Sequence, residues 1–265
     1  MRTGRVGHGG ALHAATPTPD GRVRLADGRV LDETEVLWLP PFEPRTIFAL
    51  ALNYGDHAAE LAAKSSAEQA GFLQARPSEP IVFLKAANTL IGHRGLTRRP
   101  ADAEFMHYEC ELAVVIGREG RRIPRARAID HVGGYTVAND YAIRNFLEPY
   151  YRPNLRVKSR DGCTALGPWL VPRDEVPDPS ALHLSTRVGG RLVQEGNTRE
   201  MIHDVGALIE YLSAFMTLAP GDVILTGTPK GSVDVRPGEE VACEVQGVGR
   251  LLNRLVTDWP VAPPG

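Results

Sequence analysis

The chain has 265 residues, of which 43% are hydrophobic and 23% charged, an ordinary globular balance with ample material for a core. A formal net charge of -2 supplies no basic field for DNA or RNA, so any anionic ligand must be held by a local cluster of cations. The three cysteines, Cys110, Cys163 and Cys243, are widely spaced, odd in number and without a CxxC pair, which excludes a disulfide frame or a zinc site and reads as reduced thiols.

No apolar run reaches the roughly 18 to 20 residues that span a bilayer. Two early arginines are followed by no apolar stretch, so no secretory leader is expected and the chain reads as cytoplasmic. Residues 1–45 form a small β-rich segment of their own: Gly and Pro recur, and Val23–Leu25 and Val30–Leu31 suggest a meander. Gly7-His8-Gly9-Gly10 follows no convincing strand, so a dinucleotide site is not expected there. Pro40, Pro41 and Pro44 mark the boundary to the main domain, residues 46–265.

Beyond it, residues 47–52 read as a strand turning at Asn53-Tyr54-Gly55. Asp56 is placed to cap a helix running to about residue 70. Residues 81–84 are a further strand, followed by Lys85. The segment 108–116 is the most informative strand, 132–138 is another, and 140–151 is helical or irregular. Residues 154–162 alternate as a strand that would turn Arg156, Lys158 and Arg160 to one side. A hairpin is expected over 182–194 around Gly189-Gly190. An amphipathic helix spans 203–216, with Val205, Leu208, Ile209, Leu212 and Phe215 on its inner face. Pro220-Gly221-Asp222 ends it, and Val223–Leu225, 241–245 and 251–256 are the closing strands. Strands outnumber helices without regular βαβ alternation, which predicts a mixed, β-rich (α+β) fold rather than a doubly wound sheet.

In the strand around Glu109, the side chains of Glu109, Glu111, Ala113 and Val115 share one face; Cys110, Leu112, Val114 and Ile116 share the other. Both faces are apolar beyond the acids, so the strand is expected to be buried on both sides. Two buried carboxylates on one face need positive charge, and a hard divalent cation supplies it economically. Asp140, at the end of the next strand, is the candidate third acid. Three carboxylates without nearby Cys or His favour Mg²⁺ or Mn²⁺ over zinc, with Ca²⁺ as an alternative. A solvated strand face would show the same Glu-x-Glu pattern.

Other groups carry chemistry with rival readings. The strip Arg156, Lys158, Arg160 suits substrate carboxylates, and equally a charged edge strand. His57 and Glu60, three apart on a helix, can pair as an acid/base dyad or stand as an exposed surface pair. Thr226-Gly227-Thr228-Pro229 could offer backbone amides to a carboxylate, or be plain turn chemistry.

Taken in order, the motifs resemble the fumarylacetoacetate hydrolase family. They run Asn53-Tyr54-x-x-His57-x-x-Glu60, Phe83-Leu84-Lys85, His107-Tyr108-Glu109-x-Glu111 and Asp130-x-x-Gly133-Gly134-Tyr135-Thr136-x-x-x-Asp140. Lys158-Ser159 and Gly221-Asp222-x-Ile224-x-Thr226-Gly227-Thr228-Pro229 complete the series. The resemblance implies a β-roll, a homodimer that a paralogous subunit can join, and Mg²⁺ held by Glu109, Glu111 and Asp140. It further implies catalytic roles for His57 and Glu60 on a mobile lid and for Lys158, and a substrate-facing Thr228. Arg144, Arg152 and Arg156, with Lys85, would receive the carboxylates of a small 2-oxo di- or tricarboxylate.

The stretches 141–144 and 150–162 are most similar to the branch that works in 4-hydroxyphenylacetate catabolism. That branch implies decarboxylation of 5-oxopent-3-ene-1,2,5-tricarboxylate and isomerisation of 2-hydroxyhepta-2,4-diene-1,7-dioate. Family alternatives are a C–C hydrolase of acylpyruvates such as fumarylpyruvate, or a simple 2-oxo-acid decarboxylase. Those relatives carry glutamine where this chain has Leu147, which weighs against both. Outside catalysis, the alternative is a metal- and acid-binding scaffold.

Overall fold

The computed structural model describes residues 1–63, 79–146 and 155–259. Among them the strands form four sheets, and the mixed, β-rich fold expected from the strand count is what the chain adopts. No helix among the described residues is long and apolar enough to cross a membrane.

The main sheet has seven strands in the order Ile81–Lys85, Ile47–Ala51, Val223–Leu225, Cys110–Ile116, Val132–Asp140, Thr164–Pro172 and Leu90–Ile91. Cys110–Ile116 sits at its centre and is buried along its whole length, as expected. Cys110, Leu112, Val114 and Ile116 enter the large core together with Leu184, Cys243, Val245, Leu251 and Leu255. These last residues come from a second sheet, ordered Arg191–Asn197, His183–Val188, Glu240–Val245, Gly249–Thr257 and Gly95–Arg99. On the opposite face Ala113 packs with Ile47, Ala49, Ala138, Leu166, Val223 and Leu225. Each fully buried Leu or Val on either face contributes about 1.5–3 kcal/mol.

The N-terminal sheet is richer than the sequence suggested. Val23–Leu25 and Val30–Leu31 are strands, and Gly4–His8, Ala11–Pro17 and Leu37–Leu39 join them. The expectation that no strand precedes Gly9-Gly10 is corrected: Gly4–His8 does, and these glycines, at φ 57° and 78°, turn it into an antiparallel hairpin. A dinucleotide-binding turn would need a helix there instead. Val6, Ala15, Val23, Leu25 and Trp38 form a small core of their own, and Trp169 of the main sheet closes it. The Trp38 and Trp169 rings meet edge-on at 5.0 Å. A Cβ at Gly4 would lie 2.8 Å from the Trp169 ring, so close docking requires glycine there.

The long helix is Val205–Phe215, capped by the Asp204 carboxylate, which accepts from the Ala207 amide at 2.8 Å. Val205, Leu208, Ile209 and Leu212 face inward as expected. Phe215 does not; it is 55% exposed and meets Tyr211 edge-on. The inward position four residues after Leu212 belongs to Met216, which packs against the main core. The first helix is Gly55–Ala63, with Asp56 inside its first turn rather than at the cap. Its expected continuation to residue 70 lies outside the described residues. In the stretch from Asp140, Ala142–Ile143 is a short strand and Arg144–Phe146 a 3-10 turn.

Candidate metal centre and active site

Strand register brings the acids together. Cys110 pairs with Asn139 and Glu111 with Ala138, and the Asp140 amide donates to the Glu109 carbonyl at 3.0 Å. Glu109 and Asp140 are therefore neighbours across the ladder, and Glu111 lies on the same face, opposite the small side chain of Ala138. The Asn139 carboxamide fixes the strand entry by accepting from the Glu109 amide at 3.1 Å. One oxygen from each of Glu109, Glu111 and Asp140 lies within 4.8 Å of the others, and all three residues are buried.

Among the described residues, three cations surround the acids. Lys158 Nζ donates to Glu109 Oε2 and lies 3.0 Å from Asp140 Oδ2. Lys85 Nζ lies 2.7 Å from Asp140 Oδ1 and donates to the Lys158 carbonyl. Arg144 Nη2 donates to Glu109 Oε1 at 3.0 Å. Burial pushes Glu109 up, but Lys158, Arg144 and His57 outweigh it and hold the carboxyl below its ordinary range. Burial likewise works against the Lys158 ammonium, and Asp140 and Glu109 reverse it, raising Lys158 above its usual value.

Glu111 is the acid left over. Its Oε2 accepts from the Gly227 amide at 2.5 Å, while its Oε1 is buried without a hydrogen-bond partner among the described residues. Burial, then the charges of Asp140 and Glu109, push it well above the ordinary carboxylate range. A crowded, all-oxygen donor set with one orphaned carboxylate oxygen fits a hard divalent cation, and the three acids could hold one.

The remaining expected residues divide. His57 is buried, and its Nδ1 lies 3.5 Å from Glu60 Oε2, an ion-pair approach without a formed hydrogen bond. Glu60 accepts from the Gly231 amide at 3.0 Å and from the Ser232 hydroxyl at 3.3 Å. One loop, residues 226–232, therefore holds both Glu111 and Glu60 through its backbone amides. Its amide at Gly227 serves a protein carboxylate rather than a ligand. Thr228 is buried, with its Oγ1 accepting from Gln194 Nε2 at 3.1 Å.

The strand expected over 154–162 is corrected: Leu155–Lys158 is one helical turn. Arg156 and Lys158 consequently leave the backbone in different directions, and the single cationic strip does not form. Lys158 is drawn inward by the two carboxylates, whereas Arg156 is exposed and stacks on Phe146 at 4.4 Å. Arg152 and Leu147 lie outside the described residues.

The sequence reading gave no role to four polar residues that the structure ties to the site. His107 is fully buried against Arg144. Asn139 pins Glu109, and Gln194 pins Thr228 and the Pro229 carbonyl. Asn53 ties the first strand to the loops through the carbonyls of His203 and Thr226. Their shared signal is a polar side chain inside an otherwise apolar stretch, where burial demands a partner.

Comparison with known proteins adds the lineage. Residues 46–256 match the model of the fumarylacetoacetate (FAA) hydrolase C-terminal family. The 4-hydroxyphenylacetate degradation bifunctional isomerase/decarboxylase of Escherichia coli is 53% identical over 252 residues, covering 91% of this chain and 56% of that protein. The chain thus spans about half the length of the curated relatives it matches first. Among solved structures, a 5-carboxymethyl-2-hydroxymuconate delta-isomerase from Mycobacterium smegmatis superposes with a TM-score of 0.82 at 35% identity, covering 98% of this chain and 100% of that one. A fumarylacetoacetate hydrolase from Exiguobacterium antarcticum also gives 0.82, at 27% identity, with 97% and 100% covered.

Proposed function

This chain belongs to the fumarylacetoacetate hydrolase family, and from that premise we propose that it is a divalent-metal-dependent enzyme of small 2-oxo di- and tricarboxylic acids. Its reaction is the decarboxylation of 5-oxopent-3-ene-1,2,5-tricarboxylate and the isomerisation of 2-hydroxyhepta-2,4-diene-1,7-dioate. The single observation that carries the reading is the acid cluster with its orphaned Glu111 oxygen, set directly against Lys158 and Arg144.

Glu109, Glu111 and Asp140 would hold Mg²⁺, with Mn²⁺ or Ca²⁺ as substitutes. A bound cation supplies Lewis acidity, polarising the 2-oxo group and its adjacent carboxylate. The protein's own groups then do the following. The free end of the Arg144 guanidinium binds a substrate carboxylate. As the C–C bond to the departing carboxylate breaks, CO₂ leaves and the electron pair passes through the conjugated alkene toward the 2-oxo oxygen. Lys158 stabilises the negative charge arriving there. His57, with Glu60 Oε2 3.5 Å from its Nδ1, delivers a proton from its other nitrogen to the distal carbon. Moving that proton between the two ends of the same conjugated system gives the isomerisation, so one site serves both reactions.

A hydrolytic reading has one observation in its favour, the buried His57–Glu60 pair, which could equally activate a water for C–C cleavage. Product analysis separates the two. Mg²⁺-dependent release of CO₂ from the oxo tricarboxylate is the expected result. Two organic fragments from an acylpyruvate, without CO₂, would transfer the assignment to the hydrolase, and turnover undiminished after chelation would remove the metal from either.

A further inference from the structure

His107 directly precedes the acid-bearing segment, and its ring contacts define its state. Nδ1 lies 2.8 Å from the Tyr108 carbonyl oxygen; a carbonyl only accepts, so Nδ1 carries the ring proton. Nε2 lies 2.8 Å from Nε of Arg144; a guanidinium only donates, so Nε2 is bare and receives that N–H. Together these contacts select one tautomer of an uncharged ring. Glu109 Oε1 takes Nη2 of the same guanidinium at 3.0 Å. Arg144 is thus gripped along one edge at two points, an imidazole and a carboxylate. Its remaining N–H groups include one on Nη1 and one on Nη2, the parallel fork that grips a carboxylate bidentately.

We propose that His107 is a positioning residue that aims the Arg144 fork at the second carboxylate of a 2-oxo diacid. The proposal rests on the oxo-acid reading of the site. Its physical basis is a matter of charge. An acidic neighbour in place of His107 would neutralise the guanidinium and weaken it as a receptor. An apolar one would leave Nε without a partner and let the guanidinium plane turn about its remaining contact with Glu109, away from the substrate carboxylate. An uncharged ring acceptor fixes the guanidinium plane and leaves its charge available. The ring cannot drift, because its other nitrogen is tied to the backbone of the next residue.

The test compares His107→Gln, His107→Met and Arg144→Met in the Mg²⁺-loaded protein. Gln presents a carbonyl oxygen at about the reach of Nε2, whereas Met fills the space with no comparable acceptor. Calorimetric titration measures binding of 2-oxoglutarate and of 2-oxopentanoate, which lacks the second carboxylate. Wild-type protein prefers the diacid. Arg144→Met and His107→Met each reduce that preference roughly tenfold to a hundredfold, the cost of a charge-assisted hydrogen bond. The double variant loses no more than either single one, and His107→Gln keeps the preference within about threefold. Binding of 2-oxopentanoate and of Mg²⁺ itself stays unchanged in His107→Met, which separates misaimed Arg144 from a collapsed acid cluster.

If His107→Met keeps its preference while Arg144→Met loses it, the inference fails and the oxo-acid reading stands; additive losses overturn it equally. A wild-type protein that binds neither oxo acid with Mg²⁺ defeats the site reading and the inference together. Independently of how the variants fold, ¹⁵N resonances of the wild-type imidazole report the tautomer, and a protonated Nε2 refutes the assignment.

Discussion

His93 and the Glu109–Glu111–Asp140 cluster are both buried ionisable sites, one under the N-terminal sheet and one at the end of the main sheet. Under the N-terminal sheet, His93 Nδ1 accepts from the Leu252 amide at 3.1 Å and Nε2 faces Glu33 at 3.5 Å. Burial lowers its pKa to about 4 despite the pull of Glu33. The protein meets the cost of burial there by giving up the charge. At the acid cluster it keeps three carboxylates and, among the described residues, sets three cations against them and still leaves one Glu111 oxygen unpartnered. Burial of the first kind gives up the charge for packing; burial of the second kind keeps the charges, as a site that could hold a cation requires.

The largest expected effect tests the ligand side of this contrast. Glu111→Gln removes the surplus acid. Turnover with Mg²⁺ falls about a thousandfold, equivalent to about 4 kcal/mol. The metal-free variant melts at the same temperature as the parent or higher, because a crowded buried charge is gone. Steady-state rates and thermal unfolding with and without Mg²⁺ measure both. A metal-free variant that melts lower yet turns over normally would make the cluster structural after all.

Next in size, Leu112→Ala acts on the opposite face of the same strand. It costs about 3 kcal/mol by opening a cavity in the main core, read by denaturant unfolding, with Mg²⁺ affinity changed by no more than about threefold. Loss of Mg²⁺ binding in this variant would show that the two faces are not separable.

The smallest effect sharpens the packing side. The folded pKa of His93, about 4, lies below the ordinary 6.5, so between these values the unfolded chain binds more protons. Stability from this group is complete above pH 6.5 and is lost as pH falls toward 4, with an upper limit of roughly 3 kcal/mol. His93→Gln flattens that part of the curve. A wild-type stability flat from pH 7 to 4 would contradict a neutral buried ring.

Much of this organisation was legible in the sequence, for a definite reason. The alternation in Cys110–Ile116 fixes which side chains share a face, and the two core clusters divide along that line. Glu109, Glu111 and Asp140 could be grouped because acids in an apolar stretch need company. The segment around Lys158 could not be read in this way. Its charges alternate with strand periodicity, but the segment is a helical turn in which Lys158 meets two carboxylates from outside the segment. Gly4–His8 was missed because its glycines suit a turn, although Gly4 is there to let Trp169 approach. Lys85 was expected to meet substrate, and its place beside Asp140 follows only from the fold. The tautomer of His107 is set by one backbone and one side-chain partner, neither visible to any pattern along the chain.

Ala138 stands opposite Glu111 in the ladder and is fully buried. A methyl group is therefore the side chain that faces Glu111 across the ladder, two residues before Asp140 on the same strand. Valine or leucine suits a buried strand as well or better by propensity, yet either would press more bulk against the Glu111 carboxylate. The bulk of the residue facing Glu111 is in this way a handle on how closely the three carboxylates can be crowded.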